Sequence, residues 1–163
     1  YFTVSDDVYV SFYIKYSSVA SSIRTCYITN GCRISIRSDG SLRLEDAGGT
    51  AIGSNSSVLS NNTLYLVGLH WKKATVAAND GQCEAYLVLG DDNFGSSFAS
   101  STTLTQTGQL GRVDLGNTSG ALDNQYYTDD VRIDNVSMPG PSVVAPPPWW
   151  TQGPRAFSGL IGR

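Results

Sequence analysis

Residues 6–16 read DDVYVSFYIKY, and their alternation of apolar and polar side chains indicates the fold class. In an extended chain its apolar residues fall on one face, and its tyrosine, serine and lysine residues fall on the other. The apolar face comprises Val8, Val10, Phe12 and Ile14. The same period of two recurs along most of the chain, and no window of a dozen residues shows the period of a capped helix. We therefore predict an all-β protein, a two-sheet antiparallel sandwich of about ten strands.

The dipeptide Asn30-Gly31 marks a hairpin farther along the chain. A two-residue loop there would place Arg24 directly opposite Arg37, with Arg33 on the same solvent-facing side. Like charges in such an arrangement destabilise a hairpin unless acidic groups lie nearby. Two ways of compensating these charges stay open. One is an Asp or Glu from the next strand, and the other is an acidic glycan or partner bound to the three arginines.

Three cysteines occur in the chain, Cys26, Cys32 and Cys83. An odd and small set argues against a disulfide framework. The two-residue hairpin register would also place Cys26 and Cys32 on opposite faces of the sheet, so we predict no bridge between them. No histidine lies close enough in sequence to complete a zinc site, and buried free cysteines are the prediction.

A second turn signal, SDGS, lies at residues 38–41. The strand before it carries Ile34 and Ile36 on its inward face. A three-residue loop with the glycine in the left-handed region keeps Leu42 and Leu44 on that same face, whereas a two-residue loop would reverse them. We therefore predict the three-residue loop.

All six prolines lie within residues 139–163. Proline cannot donate to a sheet ladder, so this segment should run as an extended arm beyond a sandwich domain of residues 1–138. The domain carries a net charge of −5 and the arm one of +2. Aromatic and apolar side chains on the arm favour docking onto a larger protein assembly, although folding back onto its own domain is the alternative. The predicted docking residues are Trp149, Trp150, Arg155, Phe157, Leu160 and Ile161.

The composition describes an acidic globular protein, with a net charge of −3 and a pI near 4.9. With no basic run, nucleic acid is not an expected partner. No apolar stretch reaches the roughly 18 residues of a membrane span. The chain begins with Tyr1 and shows no leader, which favours a processed product or a piece of a longer polypeptide. A homo-oligomer stays open.

Three segments, in this order, resemble the concanavalin A-like and laminin-G-like jelly-roll domains. They are the hairpin IRSDGSLRL, the strand pair TLYLVGLHWKKATVAANDGQCEAYLVLG and the closing strand YYTDDVRIDNV. The resemblance spans roughly residues 4–138. It implies two curved antiparallel sheets whose first and last strands lie side by side, with a concave face that binds carbohydrate in many relatives.

Two kinds of site are expected. Tyr9 and Tyr13 on the solvent face of the first strand could stack on sugar rings, together with the arginines of the hairpin, although aromatic residues are also common strand formers on the outer face of a sheet. Some relatives hold a structural calcium near an Asp-Asp pair. In this chain Asp6 and Asp129 share parity with inward apolar residues, so calcium could bind them, although backbone amides and Arg or Lys are the alternative partners. No other cofactor is expected.

The catalytic sets known for this kind of fold are not evident in the sequence. The hydrolases of the resembling family place paired carboxylates on one strand, but Glu45 and Glu84 are the only glutamates and neither lies in such a run. His70, the only histidine, lies mid-strand without a nucleophile signature nearby, which favours a structural or surface role. We therefore expect a protein that is not an enzyme.

The function that this reasoning favours is a non-enzymatic surface module. By analogy at the level of the fold, it would be a virion accessory protein of the decoration or fibre type, anchored by its arm and capable of glycan adhesion. Its location would be extracellular or on a virion surface. The alternatives are a carbohydrate-binding domain of a larger secreted enzyme and a polysaccharide hydrolase or lyase.

Overall fold

The computed structural model describes residues 6–18, 21–75, 78–108, 110–116 and 125–141, and only the backbone of residues 125 and 126. Within these ranges the regular structure consists of ten strands and no helix, which confirms the all-β class. The strands are β1 (Asp7–Ser18), β2 (Ile23–Ile28), β3 (Cys32–Ile36), β4 (Leu42–Asp46), β5 (Ala51–Ile52), β6 (Tyr65–Lys72), β7 (Gly81–Leu89), β8 (Ala99–Leu104), β9 (Val113–Leu115) and β10 (Gln125–Asp134).

Two antiparallel sheets of five strands pack face to face as a sandwich. The β1 sheet has the order β10-β1-β6-β7-β8, and the β3 sheet has the order β5-β4-β3-β2-β9. The first and last strands lie side by side, with Val10 opposite Ile133, as the resemblance implies. The outward side chains of Tyr9, Ser11 and Tyr13 therefore each have a partner on both β10 and β6.

The core lies between the sheets and is filled by the alternate residues that the period of two predicted. Phe12, Ile14 and Trp71 come from the β1 sheet, and Ile34 and Leu44 come from the β3 sheet, all with no exposed surface. Burying a side chain of this size stabilises a fold by about 1.5–3 kcal/mol. Since these residues face inward, the residues between them face outward, and that outward set includes the candidate site.

The second hairpin is as predicted. Ile36 lies opposite Leu42 and Ile34 lies opposite Leu44, and all four side chains are buried. The loop is completed by Gly40, whose φ of 83° lies in the left-handed region that glycine tolerates best.

The predicted register of the first hairpin is wrong. Three residues, 29–31, connect β2 to β3, and a bulge follows Arg24. Each irregularity shifts the pairing by one residue. Arg24 therefore lies opposite Ser35 and not opposite Arg37.

The prediction that all three cysteines are free is wrong as well. Cys32 on β3 and Cys83 on β7 form a disulfide that joins the two sheets, with their Cα atoms 6.7 Å apart. Cys26 is free and buried, and burial raises the pKa of its thiol. Cys26 and Cys32 both point into the core, because the shifted register places Cys26 opposite Ile34. No local pattern could indicate the bridge, since its partners are 51 residues apart and lie in different sheets.

The arm lies largely outside the described residues. Its six predicted docking residues all follow residue 141, so their role and the division of the chain after residue 138 stay predictions. In the part of the chain that the structure describes, no helix is long and apolar enough to cross a membrane.

Candidate functional site

The outward face of the β1 sheet carries a row of polar side chains on three adjacent strands. Tyr9 on β1 lies opposite His70 on β6, and His70 lies opposite Glu84 on β7. Asp7 and Lys72 form the next pair toward the edge of this face. The candidate site consists of Asp7, Tyr9, His70, Lys72, Glu84 and Tyr86.

The imidazole of His70 lies between two carboxylates. Its Nε2 is 2.8 Å from Oδ1 of Asp7, and its Nδ1 is 2.9 Å from Oε2 of Glu84. Each ring nitrogen therefore has a carboxylate oxygen within hydrogen-bonding distance. The residue is 4% exposed, so it acts on a bound molecule through its neighbours and not by direct contact.

Tyr9 lies flat against this imidazole, with ring centroids 4.1 Å apart and an interplanar angle of 3°. Among the described residues its hydroxyl has no hydrogen-bond partner, which leaves the hydroxyl available to a ligand. Burial, and then the negative charges of Asp7 and Glu84, raise the pKa of Tyr9. The phenol therefore keeps its proton at neutral pH and can donate it.

A second phenol, Tyr86, donates a hydrogen bond of 2.9 Å to Oε2 of Glu84. Burial and this hydrogen bond raise the pKa of Tyr86 to about 12. Glu84 thus accepts from His70 and Tyr86 through one oxygen, while its other oxygen, Oε1, has no partner among the described residues. The arrangement leaves one carboxylate oxygen and the Tyr9 phenol free to act on a bound molecule.

The stability that Tyr86 contributes should fall at alkaline pH. Because its pKa in the folded protein is about 12, above the ordinary 10.0, this contribution is complete below pH 10 and is lost as the pH rises through 12. We expect the difference in unfolding free energy between the wild type and Tyr86→Phe to shrink between about pH 9 and about pH 12, measured by urea denaturation. An equal difference at both pH values would contradict this assignment.

Next to the candidate site, the middle of the outward face of the β1 sheet is covered. Ser11 is fully buried there and Leu66 is 1% exposed. A Cβ added to Gly68 would lie 2.9 Å from Sδ of Met138 and 3.1 Å from Cζ of Phe94, so these two side chains pack closely over the glycine and would have to shift for a larger residue. We call the cover formed by Asp91, Phe94 and Met138 the cap.

The cap is held from two sides. Asp91 accepts a hydrogen bond of 2.6 Å from the Tyr13 hydroxyl. The ring of Phe94 packs at a tilt against that of Tyr86, with centroids 5.7 Å apart. On the other side, Arg132 donates to the carbonyl oxygens of residues 140 and 141. The cap therefore bounds the candidate site along one edge and limits the access of water there.

The two tyrosines predicted to bind glycan have different surroundings. Tyr9 belongs to the candidate site, where it is partly exposed. Tyr13 is 6% exposed beneath the cap, so the expectation that its ring is available for stacking on a sugar is wrong. Its hydroxyl lies beside Asp91, which comes from a loop whose position the sequence could not give.

The arginines of the first hairpin lie on the other side of the sandwich. Arg24, Arg33 and Arg37 share the outward face of the β3 sheet, so the structure does not bring them together with Tyr9. Arg33 donates to Oε2 of Glu45 on β4 at 2.6 Å. An acid from the next strand was one of the two remedies expected for this group of charges.

The two aspartates predicted as calcium ligands do not form one site. Asp6 is exposed and pairs with Lys73 at 3.1 Å, and Asp129 accepts a hydrogen bond of 2.8 Å from the backbone nitrogen of Asp130. A bulge at Asp130, with a φ of 46°, turns Asp129 outward opposite Tyr13, so the parity prediction is wrong. At about 3.3 Å per residue, roughly 20 Å of strand separates the two carboxylates. No group of three or more potential metal ligands occurs among the described residues.

Several solved structures share this sandwich. An alginate lyase, Aly36B, with a lysine and a tyrosine replaced by alanine and in complex with an alginate tetrasaccharide, matches with a TM-score of 0.62 and 12% identity over 84% of this chain and 72% of that chain. The marine PL-14 alginate lyase from Aplysia kurodai matches with a TM-score of 0.56 and 11% identity, over 83% of this chain and 72% of that chain. The endo-β-1,4-glucuronan lyase from the fungus Trichoderma reesei matches with a TM-score of 0.54 and 12% identity, over 82% of this chain and 70% of that chain. No protein-family model and no curated protein matches the chain.

These comparisons correct the expected function. A likeness at 10–12% identity shows the fold, and the solved structures that share it here include three polysaccharide lyases. The expectation of a non-enzymatic virion module is therefore wrong, and the alternative of a glycan-active enzyme fits better. From the sequence, His70 was expected to be structural or on the surface, and Asp7, Lys72 and Tyr86 were not expected to belong to a site. One signal in the sequence could have indicated His70. By the alternation of its strand it faces outward, and Tyr9 faces outward by the alternation of the first strand.

Proposed function

We propose that this protein is a polysaccharide lyase that cleaves uronate-containing glycans at the candidate site. The observation that carries the proposal is the row of Tyr9, His70 and Glu84, with an unengaged phenol, on a sandwich of the kind that alginate and glucuronan lyases use. We further propose that the sandwich is of the concanavalin A-like jelly-roll type, which is supported by the pairing of β1 with β10.

The chemistry of such a lyase is a β-elimination. A base removes the proton on the carbon next to the uronate carboxyl group, the bond to the 4-oxygen breaks, and a double bond forms between C4 and C5. An acid returns a proton to the departing oxygen, so atoms and charges balance without water. The site must therefore supply a base, an acid and a cation that attracts the carboxylate.

The candidate site holds one group for each task. The Tyr9 phenol, whose pKa is raised, is the acid that protonates the departing oxygen. Oε1 of Glu84 is the base, because Oε2 is already occupied. Lys72 is exposed on the same face of β6 as His70, and its ammonium group is the cation for the uronate carboxylate. His70 is a positioning residue that fixes Tyr9 by stacking and Glu84 by a hydrogen bond.

A glycosidase mechanism fits the site less well. Glycosidases place the scissile bond between two carboxyl groups. Here the space between Asp7 and Glu84 is filled by the His70 ring, which contacts both. A sugar cannot enter that space without displacing the imidazole.

We also propose an extracellular location for the protein. The Cys32–Cys83 disulfide supports it, because structural disulfides persist mainly in oxidising compartments.

The proposal is tested by incubating the purified protein with alginate, with glucuronan and with a neutral β-glucan. We expect ultraviolet absorbance from the C4–C5 unsaturated product on at least one of the uronate polymers and none on the neutral glucan. Reducing ends without absorbance would indicate a hydrolase, and glycan binding without any product would indicate a carbohydrate-binding domain. Either result would overturn the lyase assignment.

A further inference from the structure

The outward face of the β3 sheet, on the far side of the sandwich from the candidate site, carries four arginines around one serine. Ser35 on β3 lies opposite Arg24 on β2 and opposite Arg43 on β4. Arg33 and Arg37 lie two residues before and after Ser35. We call Arg24, Arg33, Arg37 and Arg43 the arginine quartet.

The residues of the quartet are close neighbours on the sheet. Partners directly across two strands have Cβ atoms about 5 Å apart, and residues two apart on a strand are about 7 Å apart. Ser35 is only 5% exposed beneath them. The four guanidinium groups therefore gather over one patch.

Acidic residues compensate part of the quartet from within: Glu45 contacts Arg33 and Arg43, and Asp39 interacts electrostatically with Arg37. Oε2 of Glu45 accepts from Arg33 at 2.6 Å and from the Ser35 hydroxyl at 3.1 Å, while Oε1 lies 3.5 Å from Nε of Arg43. The Arg33 side chain is also packed against Gly49, where a Cβ would collide with it. Arg33 is therefore held in place by the fold, and its charge is already paired with Glu45.

Arg24 and Arg43 keep donors to spare. Nε of Arg43 is buried and, within the described part of the chain, has only the ion-pair contact of 3.5 Å to Glu45 and no hydrogen bond. Arg24 lies over the ring of Tyr27, 6.0 Å from its centroid, and its contacts include no carboxylate among the described residues. A buried donor without a hydrogen bond costs free energy, and neighbouring like charges repel each other. This face therefore carries excess positive charge until an anion binds.

We propose that the arginine quartet is a second binding site, for the carboxylates of an acidic glycan chain. Guanidinium groups bind carboxylates in bidentate fashion, and several of them at this spacing suit a chain that repeats its charge. Tyr27, at the edge of the patch, offers a ring for a sugar to pack against. The site would hold the polymer on the side of the sandwich opposite the candidate site and raise the local concentration of the polymer. The choice of ligand rests on the proposed lyase function, whereas the anion site itself does not.

The test uses the double variant Arg24→Gln with Arg43→Gln, which leaves the Arg33–Glu45 pair in place. Its matched control is Lys15→Gln with Lys73→Gln, which removes the same charge from the β1 sheet. Mobility is measured by electrophoresis through gels that contain alginate or glucuronan, in low salt. We expect the arginine variant to lose most of the retardation that the wild type shows, and the lysine variant to keep it.

Turnover provides the second readout. The arginine variant should show a KM for polymer raised about tenfold, the equivalent of 1.4 kcal/mol, with kcat on a uronate trisaccharide unchanged. Equal retardation of the wild type and the arginine variant would overturn the second site, as would equal loss in both double variants. Inorganic sulfate that displaces the polymer at equal charge concentration would show an unspecific anion site and would overturn the glycan assignment. A protein that binds through the quartet but forms no product would refute the lyase function alone.

Discussion

Replacing Tyr9 with phenylalanine should reduce kcat on a uronate polymer by about 10²–10⁴-fold, the range that a lost general acid costs. The ring stays, so its stacking on His70 at 4.1 Å is preserved and the fold should not change. Only the proton donor is removed. KM should change little, because the contact with the departing oxygen is made as the bond breaks.

The matched control for this experiment is Tyr127→Phe, which removes an exposed phenol from β10, opposite Lys15. We expect it to keep full kcat, because roughly 20 Å of strand separates Lys15 from Tyr9 at about 3.3 Å per residue. Initial rates of unsaturated product measure both variants, and circular dichroism confirms that both are folded. A Tyr9→Phe enzyme within tenfold of the wild-type kcat would refute the role of this phenol as the acid.

Replacing both Cys32 and Cys83 with alanine should lower the free energy of unfolding by about 4 kcal/mol, because the unfolded chain is freed from a loop of 51 residues. Urea denaturation monitored by tryptophan fluorescence measures the loss, and Trp71, which lies opposite Cys83, reports on this part of the core. The total free energy of unfolding of a typical domain is about 5–15 kcal/mol, so the bridge should contribute a large share of the stability of this one.

Cys26→Ala is the control for the disulfide variant. It also removes a buried thiol but leaves the bridge intact, so we expect a much smaller loss, of about 1–2 kcal/mol. If the double alanine variant were as stable as Cys26→Ala, the bridge would not contribute the expected chain entropy.

Much of the fold was predictable because it depends on local alternation. The apolar residues of β1, from Val8 to Ile14, are fully buried as their period of two indicated, and Gly40 forms the loop that places Leu42 and Leu44 inward. These features depend on side-chain parity and on turn chemistry, both of which are properties of short segments.

The candidate site was not predictable in the same way, since it depends on registers between distant strands. Tyr9 meets His70 only because β1 pairs with β6, and Glu84 joins them only through β7. One residue of slip would move each of them to the core face. Bulges have the same effect within a strand, as the outward turn of Asp129 shows. No pattern in a single sequence predicts where an extra residue will be accommodated.

β1 lies between β6 and β10, and so Tyr9 has one neighbour in His70 and another in Asp134. While the chain is being synthesised, β1 can pair with β6 long before β10 has been made. In that interval the nascent protein presents a long strand with an open edge and an apolar face, a combination that invites aggregation. Yield in a recombinant host should therefore depend on translation speed and on chaperones more than the stability of the finished sandwich would indicate.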